Sequence, residues 1–263
     1  MSAALTPSFN QKYVSTNIKP GAPPYAPDIV QRYIEELQAQ LSESQKLLCY
    51  PILTTLFIGA RRGDFVPRLF EEYIVMKLDS DTVKSVFYLM RESIMASYAF
   101  VGVPWVVPAC LGIVDVLQRR SLEDIAKENF RSDPLDVDSL LITGKEVVSN
   151  TYRGVNNDEV RDMLSIAFPE MRKGISLVVW GYNVGGAVKA GLHPRETELF
   201  IATAIISSGA TRQARSHIKA SLGMGNEIGV VAKIVELANE FTDWNGAPIE
   251  AVDVEALAAE IRL

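Results

Sequence analysis

Residues that could form disulfides or bind metals are scarce in this chain, which has only 2 cysteines and 2 histidines among 263 residues. Cys49 and Cys110 lie far apart in apolar stretches, without the C-x-x-C pair or close spacing of redox and zinc motifs. We therefore predict buried structural thiols in a reducing, cytoplasmic environment. The sequence contains no recognisable metal site or organic-cofactor motif, so no cofactor is expected.

Positive charge and long apolar runs are also lacking. The 26 Lys and Arg residues are outnumbered by 32 Asp and Glu residues and are interspersed with them, so no basic stripe could neutralise phosphates. Every apolar run is interrupted before it reaches membrane-spanning length. We expect neither a nucleic acid nor a membrane as partner. The tail Ile261-Arg262-Leu263 resembles a peroxisomal signal without its small first residue, which keeps the peroxisome as an alternative location.

Most of the chain instead carries apolar residues at helical spacing, and no series of alternating strands is visible, which predicts an all-α fold. Asp28 and Asn226 are predicted helix caps, and Pro108 is predicted in the first turn of its helix. Residues 1–28, with four prolines after position 19, are predicted to be an arm that wraps or hangs free. The predicted helices are 28–42, 44–58, 64–78, 82–101, 105–119, 194–208, 211–222 and 226–241.

The two parts of the chain share a pattern that predicts an internal duplication. Gly59-Ala60-Arg61-Arg62 matches Gly209-Ala210-Thr211-Arg212 in three of four positions. One three-helix unit alone would leave an apolar face uncovered, and a second copy could cover it. We predict a first unit at 29–130, a linker at 131–141 and a second unit at 142–263. The alternative is that Gly and Pro recur at helix ends in any all-α protein.

The segment 209–223, GATRQARSHIKASLG, resembles the signature helix of the carboxymuconolactone decarboxylase-like family, within the alkylhydroperoxidase-like superfamily. Three flanking elements add to the resemblance. They are Gly144-Lys145-Glu146-Val147 with Tyr152 and Gly154, Trp180-Gly181 before Gly191-Leu192, and the segment 97–104 with Tyr98, Gly102 and Pro104. The resemblance implies two helical units of that superfamily per chain. Because such units form rings of three or six, it also implies a homo-oligomer, either a dimer or a trimer.

Redox members of the superfamily carry two cysteines at the start of this helix. The corresponding residues here are Ala210 and Gln213, whereas the histidine that follows them is retained as His217. Without a thiolate, disulfide-relay peroxidase chemistry is excluded at this site.

Glu198 and His217 are the predicted catalytic pair. Glu198 lies 11 residues before Gly209 and His217 lies 8 after it, so antiparallel helices would place them at levels differing by about 4 to 5 Å. The carboxylate would orient the imidazole and raise its basicity, leaving the other ring nitrogen to exchange a proton. The alternative is a core or interface histidine paired with Glu198. His193 precedes Pro194, and we predict a capping role for it.

Arg212 and Trp180 are the predicted substrate-binding residues. Arg212, near a helix N-terminus, could hold a carboxylate or a developing enolate, or could instead form a solvated or intersubunit ion pair. Trp180 would line the pocket or serve as a core or interface aromatic. Apolar pocket walls are predicted from Val179, Val184, Ile201 and Ile205.

The resemblance implies a cofactor-independent lyase that acts on a small oxygenated carboxylic acid or lactone, in aromatic catabolism or secondary metabolism. As carbon dioxide leaves, negative charge develops on a conjugated carbonyl oxygen, which a cation would stabilise, and His217 would move the proton. An isomerase, dehydratase or cyclase could use the same enolate. A non-catalytic oligomeric scaffold is a further alternative, because the first unit has no catalytic pair. Leu48 and Pro67 are the residues aligned with Glu198 and His217.

Overall fold

The computed structural model describes residues 9–155 and 158–261, and this part of the chain contains helices and no strand, which confirms the all-α prediction. The α-helices are α1 Pro27–Gln40, α2 Cys49–Gly59, α3 Phe65–Leu69, α4 Ser80–Val101, α5 Val103–Arg119, α6 Val137–Thr151, α7 Asp158–Ala167, α8 Pro169–Gly174, α9 Pro194–Ser207, α10 Thr211–Gly223, α11 Ile228–Trp244 and α12 Val254–Ala259. Wider π-helical turns are Asn10–Val14, Phe70–Val75 and Ile175–Val184, and 3-10 turns are Glu43–Leu48, Glu123–Ala126 and Gly185–Ala190.

Helices α2 and α9 form the centre of the molecule because neither has a polar face. Every residue of α2 is buried, as is α9 from Thr197 to Ser207, and a helix without a polar face has to be enclosed by others. The two helices cross closely at Gly59, where a Cβ atom would lie 2.3 Å from the carbonyl oxygen of Ala204. Helix α4 packs on both, and α11 packs on α9. The N-terminal half (residues 9–130) and the C-terminal half (residues 142–261) therefore share one core.

The segments before the two central helices pack in a reciprocal way. Helix α1 packs on α11 of the C-terminal half, and the π-helical segment Ile175–Val184 packs on α4 of the N-terminal half. Two copies of one unit would produce such an exchange. The left-handed residue after each central helix, however, is Arg61 (φ 61°) in one half and Gly209 (φ 75°) in the other. Gly59, which the sequence aligns with Gly209, lies within α2, so the duplication stays a prediction.

Several local predictions are wrong. Pro108 lies inside α5 and not in its first turn, because the helix already begins at Val103, directly after Gly102. Asn226 does not cap α11: Glu227 occupies the N-cap position, and the side-chain amide of Asn226 donates to the Ser221 hydroxyl at 2.9 Å. The predicted helix 64–78 is α3 followed by a π-helical turn. Its π-helical part takes the backbone out of the regular i→i−4 hydrogen-bonding pattern.

The cysteine prediction holds for one residue of the two. Cys49 is buried, and burial raises the pKa of its thiol to about 12. Cys110 is partly exposed because it lies on the flank of α5, and its thiol also has a raised pKa through desolvation. Both thiols are free.

The described part of the N-terminal arm packs against the N-terminal half. The side-chain amide of Asn17 donates to the carbonyl oxygen of Pro104 at 2.9 Å, and the Tyr25 hydroxyl donates to Glu72 at 2.8 Å. Residues 1–8 of the arm, and Arg262 and Leu263 of the tail considered above, lie outside the described residues. Among the helices described, none combines the length and the apolar character needed to cross a membrane.

Candidate active site

Glu198 and His217, the predicted catalytic pair, are in direct contact. A turn at Gly209 joins α9 to α10 and reverses the chain, which brings Nδ1 of His217 to 2.8 Å from Oε1 of Glu198. Both side chains are buried, with 3% of His217 and 2% of Glu198 exposed. The geometry predicted from the spacing of these two residues around Gly209 is therefore present.

The other ring nitrogen of His217 contacts a tyrosine that the sequence analysis did not assign to the site. Nε2 of His217 lies 2.9 Å from Oη of Tyr152, the residue directly after α6. When Glu198 is ionised it only accepts hydrogen bonds, so Nδ1 of His217 donates to it, and Nε2 of the singly protonated ring then accepts from the tyrosine hydroxyl. The signal that could have identified Tyr152 was its place in the family-like segment that begins at Gly144.

Three aromatic rings enclose the imidazole. Trp180 lies parallel to it, with ring centroids 6.5 Å apart and planes 5° apart. Phe100 and Tyr152 present their rings at steep angles, with centroids 5.5 and 5.6 Å from that of His217. Trp180, for which we predict substrate binding, thus lies beside His217. Phe100 comes from α4 of the N-terminal half, so both halves build the surroundings of His217.

Burial raises the pKa of two of these groups, Glu198 and Tyr152. Desolvation raises the pKa of Glu198, and the neighbouring His217 opposes the shift only in part. Oε2 of Glu198 has no hydrogen-bond partner among the described residues, which is consistent with a carboxylate that is costly to keep charged. Desolvation, and then the negative charge of Glu198, raise the pKa of Tyr152. Tyr152 is therefore a neutral hydroxyl donor at physiological pH.

A cavity of about 160 Å³ lies beside Tyr152 and Trp180. Its described lining is mostly apolar and consists of Val148, Tyr152, Val160, Arg161, Leu164, Arg172, Ile175, Ser176 and Trp180. His217 is not among these residues, so Tyr152 and Trp180 stand between the imidazole and the cavity. The predicted walls are wrong: Val184, Ile201 and Ile205 are buried in the shared core, and Val179 is partly buried and packs against it. Helices α6, α7 and α8 and the π-helical segment Ile175–Val184 supply the walls instead.

Arg212 is not brought to this cavity. It is exposed in the first turn of α10 and is not one of the described residues that line the cavity. The reason is geometric, because five residues of an α-helix turn through about 500°, which leaves Arg212 and His217 about 140° apart around the axis. The arginines at the cavity, Arg161 and Arg172, belong to no motif and could not be identified from the sequence.

His193 has the capping role predicted for it. Its ring nitrogen Nδ1 accepts a hydrogen bond from the Arg195 backbone N–H at 3.3 Å, and Glu196 accepts from the His193 backbone N–H at 3.1 Å. This reciprocal arrangement satisfies backbone donors at the start of α9. Within the described residues, no group of three or more His, Cys, Asp and Glu side chains has the arrangement of a metal site.

Comparison of the chain with protein-family models, with curated proteins and with solved structures gives no match in any of the three. The geometry of Tyr152, His217 and Glu198 is therefore the basis on which function is inferred.

Proposed function

We propose that this protein is a cofactor-independent acid-base enzyme of the carboxymuconolactone decarboxylase-like type, acting on a small oxygenated carboxylic acid or lactone. The observation that carries the proposal is the hydrogen-bonded chain from Tyr152 through His217 to Glu198. It begins at the wall of a mostly apolar cavity and ends at a buried carboxylate. Such a chain can move a proton between a bound molecule and a site that is screened from water.

Tyr152 would be the residue that exchanges the proton with the substrate, because it lines the cavity whereas His217 does not. When a carboxylate leaves as carbon dioxide, the electron pair of the broken bond passes into a neighbouring carbonyl, and carbon then needs a proton. With His217 protonated on both nitrogens, the Tyr152 hydroxyl gives its proton to carbon and Nε2 of His217 replaces it. Glu198 balances the charge of that imidazolium. Neutral His217 would take the proton in the opposite direction.

Hydrogen exchange in deuterated water tests this proposal. A site that forms an enolate exchanges the hydrogen next to the carbonyl even where the full reaction does not follow, and proton NMR detects that loss of signal. We expect exchange or carbon dioxide release with members of a panel of small lactone acids and keto acids. Tyr152→Phe and His217→Gln are expected to slow it by about 10²- to 10⁴-fold, which is the usual contribution of an acid-base residue.

His193→Asn is the matched control, since asparagine can keep the helix cap and the chain has no third histidine. This variant should retain the wild-type rate. Folded Tyr152→Phe and His217→Gln proteins that exchange as fast as wild type would show the acid-base proposal to be wrong. A folded wild-type chain that exchanges none of the panel would favour the non-catalytic scaffold.

A further inference from the structure

The cavity beside Tyr152 has an uneven distribution of charge. Its walls are apolar side chains of α6, α7 and the π-helical segment after α8, together with the face of Trp180. The charged side chains in its described lining are both arginines, Arg161 and Arg172, and no acidic side chain is part of that lining. An apolar cavity with cations on one side suits a molecule that is apolar at one end and anionic at the other.

The two arginines differ in how they are engaged. Arg161, on α7, has an interaction of its own. Arg172 lies in the last turn of α8, is exposed, and forms no ion pair or side-chain hydrogen bond within the described part of the chain. The five N–H donors of a guanidinium match a carboxylate in a bidentate arrangement. Arg172 therefore has its full hydrogen-bonding capacity available at the cavity.

The positions of the lining residues determine how a bound molecule would be oriented in the cavity. Tyr152 and Trp180 form the inner wall, next to buried His217, whereas Arg172 is on the exposed side. An anionic group at Arg172, distinct from any carboxylate that leaves as carbon dioxide, would place the apolar body against Leu164 and Trp180. The far end of that body would then be next to Tyr152.

We infer that Arg172 is a specificity-determining residue of this cavity and selects small apolar carboxylates over neutral molecules of the same shape. The inference rests on the proposed function for the identification of the cavity as the substrate site. It assigns anion recognition to α8, and not to Arg212 on α10.

Calorimetric binding of benzoate and of benzyl alcohol tests the inference, because the two probes share a ring and differ in charge. We expect wild type to bind benzoate more tightly than benzyl alcohol. Arg172→Gln should weaken benzoate binding by about tenfold to a hundredfold, as expected for the loss of a charge-assisted hydrogen-bonded pair. The same variant should leave benzyl alcohol binding unchanged. Because Arg172 is exposed, the variant is expected to fold.

Lys173→Gln is the matched control. It removes the same charge from the adjacent position, and Lys173 is not one of the described lining residues, so benzoate binding should stay at the wild-type level. Equal weakening by both variants would mean general attraction by positive charge and would overturn the inference. The inference would also be overturned if Arg172→Gln bound benzoate as tightly as wild type, or if wild type showed no benzoate binding at millimolar concentration.

Failure of this inference can be told apart from failure of the proposed function. If the Tyr152 and His217 variants slow hydrogen exchange but Arg172→Gln leaves benzoate binding unchanged, only the role of Arg172 is rejected. If Arg172→Gln weakens benzoate binding but the Tyr152 and His217 variants leave hydrogen exchange unchanged, the cavity binds carboxylates without performing the proposed chemistry.

Discussion

The ring of Phe100 lies edge-on to the ring of His217, with centroids 5.5 Å apart and planes at 79°. Phe100 is in α4 of the N-terminal half, and His217 is in α10 of the C-terminal half. The N-terminal half has no counterpart of the Glu198–His217 pair. The residues that the sequence aligns with Glu198 and His217 are the buried residues Leu48 and Pro67. Its contribution to the site is thus an aromatic wall.

Replacing Phe100 by alanine should open this wall. We expect a loss of about 2 kcal/mol in the free energy of unfolding, below the range for a fully buried phenylalanine because Phe100 is only partly buried. His217 should also become reactive toward diethyl pyrocarbonate. Urea unfolding and mass spectrometry measure the two effects. Phe168→Ala removes an exposed ring and should change neither. An unreactive His217 in Phe100→Ala would contradict the wall assigned to Phe100.

Glu198 should make the stability of the protein depend on pH in a defined direction. Burial raises its pKa above the ordinary value of 4.5, so the folded protein holds this proton more tightly than the unfolded chain. The stabilisation is fully present below the ordinary pKa and is lost as pH rises through the raised pKa. Urea unfolding at a series of pH values measures this loss. We expect the free energy of unfolding of Glu198→Gln not to show it as pH rises.

The exposed residue Glu170 provides the control, because Glu170→Gln makes the same change in charge at the surface. The stability difference between Glu170→Gln and wild type should stay nearly constant over this pH range. A Glu198→Gln protein whose stability falls with pH in parallel with wild type would mean that Glu198 is not the group responsible.

Gly144 is required by the close crossing of α6 and the π-helical segment. A Cβ atom at Gly144 would lie 2.0 Å from the carbonyl oxygen of Ser176, which is backbone and cannot move aside by rotation. Gly144→Ala should therefore separate the two segments and cost about 2 kcal/mol or more. Gly174→Ala is the control, because nothing lies within 4 Å of its added Cβ. It should stabilise the protein by about 0.5 to 1 kcal/mol. Equal thermal melting temperatures for the two variants would contradict this account.

Arg131 holds the segment between the two halves in place through a buried ion pair. Its guanidinium lies 2.6 Å from Glu92, and it donates to the carbonyl oxygens of Tyr182 and Asn183 at 3.1 and 2.9 Å. Arg131→Met would leave buried Glu92 with Arg91, whose Nε lies 3.6 Å away, as its remaining ion-pair partner, at a cost of up to about 3 to 5 kcal/mol. Combining it with Glu92→Gln should recover part of that loss in urea unfolding. Lys127→Met, at an exposed ion pair, should cost less than about 1 kcal/mol.

The sequence was sufficient for most helices and for one contact of the site. Helical periodicity and the glycines and prolines at helix ends predicted α1, α4, α9 and α10 within a few residues, because those signals are local. The approach of Glu198 to His217 followed from their distances in sequence to one turn at Gly209. Arg212 does not line the cavity, because spacing along a helix also sets direction and Arg212 lies on another side of α10 from His217.

The sequence alone established the helical class, the absence of cysteine at Ala210 and Gln213, and the pairing of Glu198 with His217. These depend on residue identity or on short-range geometry. The folded structure was needed to show that Tyr152, 65 residues from His217 in sequence, completes the chain of hydrogen bonds, that Phe100 closes the site, and that Arg172 lies at the cavity. Helix packing brings these residues together from distant parts of the sequence. Which faces meet depends on the close approaches at Gly59 and Gly144, which no local pattern encodes.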